Sequence, residues 1–95
     1  MSRMHNPPHP GEVLREWIPE GMTVSTAAQA LQVSRVTLSK VLNAKSGITA
    51  GMALRISAWL ATTPEVWLGM QTQFDLWEAK KEPRPEIKPL ERLAA

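Results

Sequence analysis

The run Ser34-Arg-Val-Thr-Leu-Ser-Lys-Val-Leu-Asn43 gathers hydrogen-bonding side chains at helical spacing. Place Leu38 at the origin of a helical wheel and advance about 100° per residue. Val41 and Leu42 then fall beside it, Val36, Lys40 and Asn43 fall roughly opposite, and Thr37 and Ser39 flank them. Arg35 stands at the N-terminal end, the end of such a helix that approaches base edges. The outward face is therefore Arg35, Val36, Thr37, Ser39, Lys40 and Asn43, a mixture of cations, hydroxyls, an amide and one apolar group without an acid. This is chemistry for recognising a duplex. Arg35 or Lys40 can donate to guanine O6 and N7, and Val36 can pack on a thymine methyl. Ser34, Thr37 and Asn43 can bond phosphates, which sets register without reading sequence. Lys45, just past the helix, is placed for a further phosphate.

The surrounding charge points the same way. The formal net charge of the 95 residues is only +2, yet no Asp or Glu occurs from Gly21 to Pro64, where Arg35, Lys40, Lys45 and Arg55 lie. A block of one sign is the footprint of a polyanion partner, although solvated surface cations would give the same tally. Catalytic chemistry finds no support. There is no nucleophile–base pair with an orienting third group and no phosphate-binding glycine loop. Glu12, Glu16 and Glu20 follow i, i+4 spacing on an ordinary helix face. Cysteine is absent, which excludes disulfides and thiolate metal sites and fits a reducing compartment. His5 and His9 flank prolines with no carboxylate or thiol beside them, so neither a metal nor another cofactor is expected. No apolar run reaches the roughly 18 residues of a membrane span, and Met1 to Pro10 has no apolar signal core. The cytoplasm is the expected location.

Positioning that outward face requires short helices at fixed angles. Pro10 suits the first position of a helix, with Glu12 in its first turn and Val13, Leu14, Trp17 and Ile18 apolar; Pro19 and Gly21 stop it. Thr23 caps a second helix with Ala27, Ala28 and Leu31 inward. Ser34 caps a third, from about Arg35 to Leu42. Ala28 is small where the two helices cross, and Leu31, Val33, Leu38 and Val41 fill the wedge between them. Thr49 caps a fourth helix, with Met52, Ile56, Trp59 and Leu60 at helical spacing, and Thr63 and Pro64 open a fifth. Trp17 and Trp59 are expected in the core. Trp67, Met70, Phe74 and Trp77 form one stripe on the fifth helix, either core or the seam of a homodimer. Beyond Lys81 the prolines Pro83, Pro85 and Pro89 alternate with charges. The domain is thus expected over residues 10–81, ending in a dimerisation helix, with a flexible arm at 1–9 and a disordered Pro-rich tail at 82–95. No strand and no internal repeat is read.

Two short helices joined by a tight turn, the second opened by Ser34, make a helix-turn-helix. The stretch Ala28-Gln-Ala-Leu31-Gln-Val-Ser34, followed by Leu38 and then Asn43, resembles the Xre, or lambda-repressor-like, form of this motif. Pro10-Gly-Glu-Val-Leu-Arg-Glu upstream, Asn43-Ala-Lys-Ser-Gly-Ile-Thr49, Thr63-Pro-Glu-Val-Trp67-Leu and Phe74-Asp-Leu-Trp77 are similar to the HigA (VapI) antitoxin family. The resemblance covers about Pro8 to Lys81. It implies an all-α, five-helix cytoplasmic dimer that binds a palindrome in its own promoter and neutralises a small toxin, usually a ribosome-dependent ribonuclease of the HigB kind. It carries DNA contact to Ser34, Arg35, Val36, Thr37, Ser39, Lys40 and Asn43. Gln32 and Ala44 stand where the family pattern has glycine, and Val24 where many relatives have a phosphate-bonding Gln. A stand-alone regulator without a toxin, and a protein-interaction module that no longer meets DNA, are the alternative readings. The N-terminal arm and first helix are the candidate grip for a toxin. If the chain is a two-fold dimer, its recognition helices would lie about 34–36 Å apart, one turn of DNA.

Overall fold

Hydroxyl and proline caps decide where the helices begin. The computed structural model describes residues 6–91, and among these it holds five α-helices and no strand. They are α1 (Pro10–Trp17), α2 (Val24–Leu31), α3 (Arg35–Leu42), α4 (Ala50–Leu60) and α5 (Pro64–Lys80). Thr23, Ser34 and Thr49 are extended, and their hydroxyls accept the backbone N–H of Thr26, Thr37 and Met52. Each satisfies a first-turn donor that its helix cannot. These are the caps the sequence predicts.

Two helix starts differ from expectation. Thr63 makes no side-chain cap bond, and Pro64 opens α5 without it, because proline supplies the helical φ itself. The neighbouring Thr62 Oγ1 accepts Trp67 Nε1–H at 2.8 Å. The cap of α1 is His9, whose Nδ1 accepts Gly11 N–H at 2.9 Å. Expected in a mobile arm, His9 is instead 4% exposed. Its imidazole fills the place of a capping oxygen and packs edge-on against Phe74, with ring centroids 4.9 Å apart. His5 lies outside the described residues.

Three helix ends use a left-handed residue that is not glycine: Gln32 (φ 59°), Ala44 (φ 58°) and Ala61 (φ 58°). Past α2, Val33 N–H reaches Ala28 O at 3.0 Å and Gln32 N–H reaches Gln29 O at 3.1 Å. Past α3, Lys45 N–H reaches Lys40 O at 2.8 Å and Ala44 N–H reaches Val41 O at 3.0 Å. Both are Schellman closures. A Cβ in this conformation costs about 1–2 kcal/mol, and glycine gives back about 0.4–1 through a freer unfolded chain. Ala44→Gly should therefore stabilise the protein by about 0.5–1 kcal/mol, raising the thermal midpoint followed by circular dichroism by a few degrees. A lower midpoint would show that Ala44 is not strained.

The core sits where α2, α3 and α4 meet α1 and the first turns of α5. Leu14, Ala28, Leu31, Leu38, Ile56 and Trp67 are among its fully buried members. The small Ala27 and Ala28, both buried, let α2 cross α3 closely. Val33 is half-buried against the same cluster. Trp59 is also half-buried there, but Trp17, expected in the core, is 50% exposed. It is the last residue of the short α1, so its indole overhangs the end of the core and meets Trp67 edge-on at 6.5 Å. On α5 the stripe divides. Trp67 is buried, whereas Met70, Phe74 and Trp77 are only partly covered, because α5 is 17 residues long and runs past its neighbours. From Glu82 to Glu91 the chain has no regular structure and is exposed throughout. Among the described residues, no helix is long and apolar enough to cross a membrane.

Candidate nucleic-acid interface

The face of α3 that turns away from the core is the one the wheel assigns. Leu38, Val41 and Leu42 are buried. Ser34, Arg35, Val36, Thr37, Lys40 and Asn43 are exposed, as is Lys45 beyond the helix; Ser39 alone is half-buried. Val36 is 60% exposed on that face. At the N-terminus the Ser34 hydroxyl accepts Thr37 N–H at 3.0 Å and lies 2.8 Å from Thr37 Oγ1. The cap and the first-turn hydroxyl thus stand as one pair at the end of the helix where the backbone dipole is positive.

Among the described residues no carboxylate pairs with Arg35, Lys40 or Lys45. Among the described residues the only salt bridge is Lys81–Glu78, on the surface at the end of α5. The fourth cation of the acid-free segment behaves differently. Arg55 extends from α4 to the end of α2 and donates to Leu31 O at 3.0 Å and Gln32 O at 3.1 Å. It therefore stabilises the left-handed turn between α2 and α3, a structural use that its charge alone does not reveal.

Three further residues position α3, and sequence reasoning missed them. Gly11 lies so close to α3 that a Cβ there would overlap the Val41 carbonyl oxygen and stand 2.8 Å from its carbon. Arg15 crosses from α1 to donate to Leu42 O at 3.1 Å and Asn43 Oδ1 at 2.9 Å. Gln71 of α5 accepts Ile48 N–H at 2.8 Å and so ties down the loop that follows Lys45. A signal existed for Arg15: it is the lone cation of α1, next to buried Leu14 and one turn on from Gly11. No local pattern marks Gln71.

Known proteins resemble the chain in both sequence and shape. No protein-family model matches it. It is 43% identical over 76 residues to virulence-associated protein A' of Dichelobacter nodosus, covering 78% of this chain and 66% of that protein. It is 38% identical over 80 residues to antitoxin HigA-1 of Vibrio cholerae serotype O1, covering 82% of this chain and 75% of that protein. The chain belongs to the HigA family of antitoxins. The fold agrees: antitoxin GraA superposes with a TM-score of 0.77 at 44% identity, over 82% of this chain and 86% of GraA. GraA in complex with its operator superposes with a TM-score of 0.69 at 36% identity, over 93% and 99% of the two chains. The HigA family and its relatives are antitoxins and helix-turn-helix regulators rather than enzymes. Gln32 and Ala44, which stand where the resemblance expects glycine, take the left-handed conformation that glycine takes most readily.

Proposed function

We propose that this HigA-family chain is a cytoplasmic DNA-binding antitoxin that represses its own operon as a homodimer and neutralises a small HigB-like ribonuclease toxin. The observation that carries the reading is the solvent-facing side of α3, which is cationic, hydroxyl-bearing and free of acids. The relative GraA, solved in complex with its operator, supports placing that side against DNA.

In this reading Arg35 and Lys40 donate to base edges and Val36 covers a thymine methyl. Ser34, Thr37, Ser39 and Lys45 hold phosphates. Asn43 sits at the same edge, with its carbonyl oxygen already accepting from Arg15 and its amide nitrogen donating to Ser39 O at 2.9 Å. It acts in one fixed orientation. The palindromic operator would be met by two copies joined along the half-covered residues Met70, Phe74 and Trp77 of α5. Trp67 is spent within its own protomer and is left out of that seam. Half-exposed Trp17 at the end of α1, a helix that also carries exposed Glu12 and Glu16, offers an apolar anchor for a basic toxin.

The test is binding to the DNA upstream of the chain's own gene, followed by footprinting and by fluorescence anisotropy at several salt concentrations. Wild-type protein should protect a two-fold symmetric site, and log K should fall linearly with log salt. Lys45→Ala should flatten that slope by about 0.9 and weaken all sequences alike. Lys40→Ala should lose about 1–3 kcal/mol on the protected site and relax preference at one base pair. Absence of any protected site would remove the DNA reading, whereas an unchanged slope in Lys45→Ala or an unaltered site preference in Lys40→Ala would remove the role given to that residue.

A further inference from the structure

The C-terminal end of α3 closes its polar groups in a way that singles out one side chain of α1. The last four carbonyls of a helix have no partner within it. Here Ser39 O takes Asn43 N–H at 3.0 Å, and Lys40 O takes Lys45 N–H at 2.8 Å and Ser46 N–H at 3.3 Å. Val41 O takes Ala44 N–H at 3.0 Å. Leu42 O is left over, and Arg15 fills it from across the interface with α1. The same guanidinium nitrogen donates to Asn43 Oδ1, and Asn43 Nδ2 donates back to Ser39 O at 2.9 Å and lies 3.3 Å from Ser39 Oγ. Arg15, Asn43 and Ser39 are thus one chain of hydrogen bonds. It runs from the backbone end of α3 to two residues of its outward face.

We infer that Arg15 is a positioning residue for operator discrimination: it fixes the C-terminal end of α3 and the orientation of the Asn43 amide without touching DNA. This rests on the DNA-binding reading above and says which part of the binding Arg15 governs. Base edges are read by directional bonds that tolerate little displacement, whereas phosphates are held by charges that tolerate more. Loosening one end of a helix only eight residues long therefore harms the first kind of contact and spares the second. Arg55 does the corresponding work at the end of α2, but the carbonyls it holds lie in the turn, away from the reading face. The distinguishing feature of Arg15 is its link to Asn43.

The experiment measures full-length protein on two duplexes of equal length, one carrying the footprinted upstream site and one a scrambled version, across a salt series. Wild type is compared with Arg15→Met, which keeps the stem and removes the donors, and with Asn43→Ala, an exposed change that leaves α1 intact. Arg15→Met should weaken the footprinted site about tenfold while leaving the scrambled duplex and the salt slope unchanged. Asn43→Ala should move in the same direction, and the double variant should be no worse than the more affected single one, since both break one network. A slope flattened by about one unit in Arg15→Met would make Arg15 a phosphate contact and overturn the inference. Equal weakening on both duplexes, or a lower melting temperature with discrimination intact, would reduce Arg15 to a fold contact and overturn it as well. Should Arg15→Met fail to fold, Asn43→Ala decides alone: preserved discrimination sinks the proposal. Wild type that cannot tell the two duplexes apart is a different failure, that of the DNA-binding reading itself.

Discussion

Gly11→Ala should cost several kcal/mol and leave little folded protein at physiological temperature. The added methyl would overlap the Val41 carbonyl oxygen. That oxygen belongs to backbone, already bonded to Ala44 N–H at 3.0 Å, and has no rotamer with which to retreat. Either α1 lifts off α3, uncovering Leu14 and stretching both Arg15 bonds, or the Ala44 turn opens. Overpacking of a close interface costs about 1–3 kcal/mol where side chains can adjust; a backbone clash exceeds that, and total stability for such domains is about 5–15 kcal/mol. Urea denaturation monitored by tryptophan fluorescence measures it. A loss below about 1 kcal/mol would mean that α1 and α3 do not approach as closely as described. Glycine's freedom of φ is not the issue, because Gly11 lies in regular helix; its lack of a side chain is.

Trp67→Ala is expected to remove about 3–5 kcal/mol, the range for deleting a buried tryptophan. Trp67 is the largest fully buried side chain among the described residues. It anchors the first turns of α5 through its ring contact with Trp17 and its bond to Thr62. Trp67→Phe separates the two parts of that role. It retains most of the ring volume and loses the 2.8 Å bond from Nε1 to Thr62 Oγ1, so it should cost about 1–2 kcal/mol. The same denaturation series distinguishes them. If Phe proves as damaging as Ala, the hydrogen bond outweighs the packing, and the assignment of Trp67 as a volume anchor is wrong.

Much of this architecture is written locally and can be read locally. Thr23, Ser34 and Thr49 cap the helices they precede, and the wheel drawn through Leu38 places the outward face of α3 correctly apart from half-buried Ser39. Such features depend on residues within a turn or two of one another. The misreadings are long-range. His9 looks like part of a proline-rich arm until Phe74, far along the chain, is seen against it. Trp17 has the right spacing for the core but comes at the end of its helix, where depth depends on what lies beyond. Arg15 and Arg55 look like surface charge in sequence, yet each serves carbonyls 23–27 residues away. Periodicity gives the direction of a side chain, not what waits there.

The seat of Gly11 against Val41 has a mechanical consequence. Most helix pairs are separated by side chains, and a nudge on one is partly absorbed by rotamers before it reaches the other. Here backbone rests on backbone, so the contact has no such slack. Whatever takes hold of the outer surface of α1, where Trp17 protrudes, would therefore be felt at α3 with little attenuation, and a ligand grasping α3 would pull equally on α1.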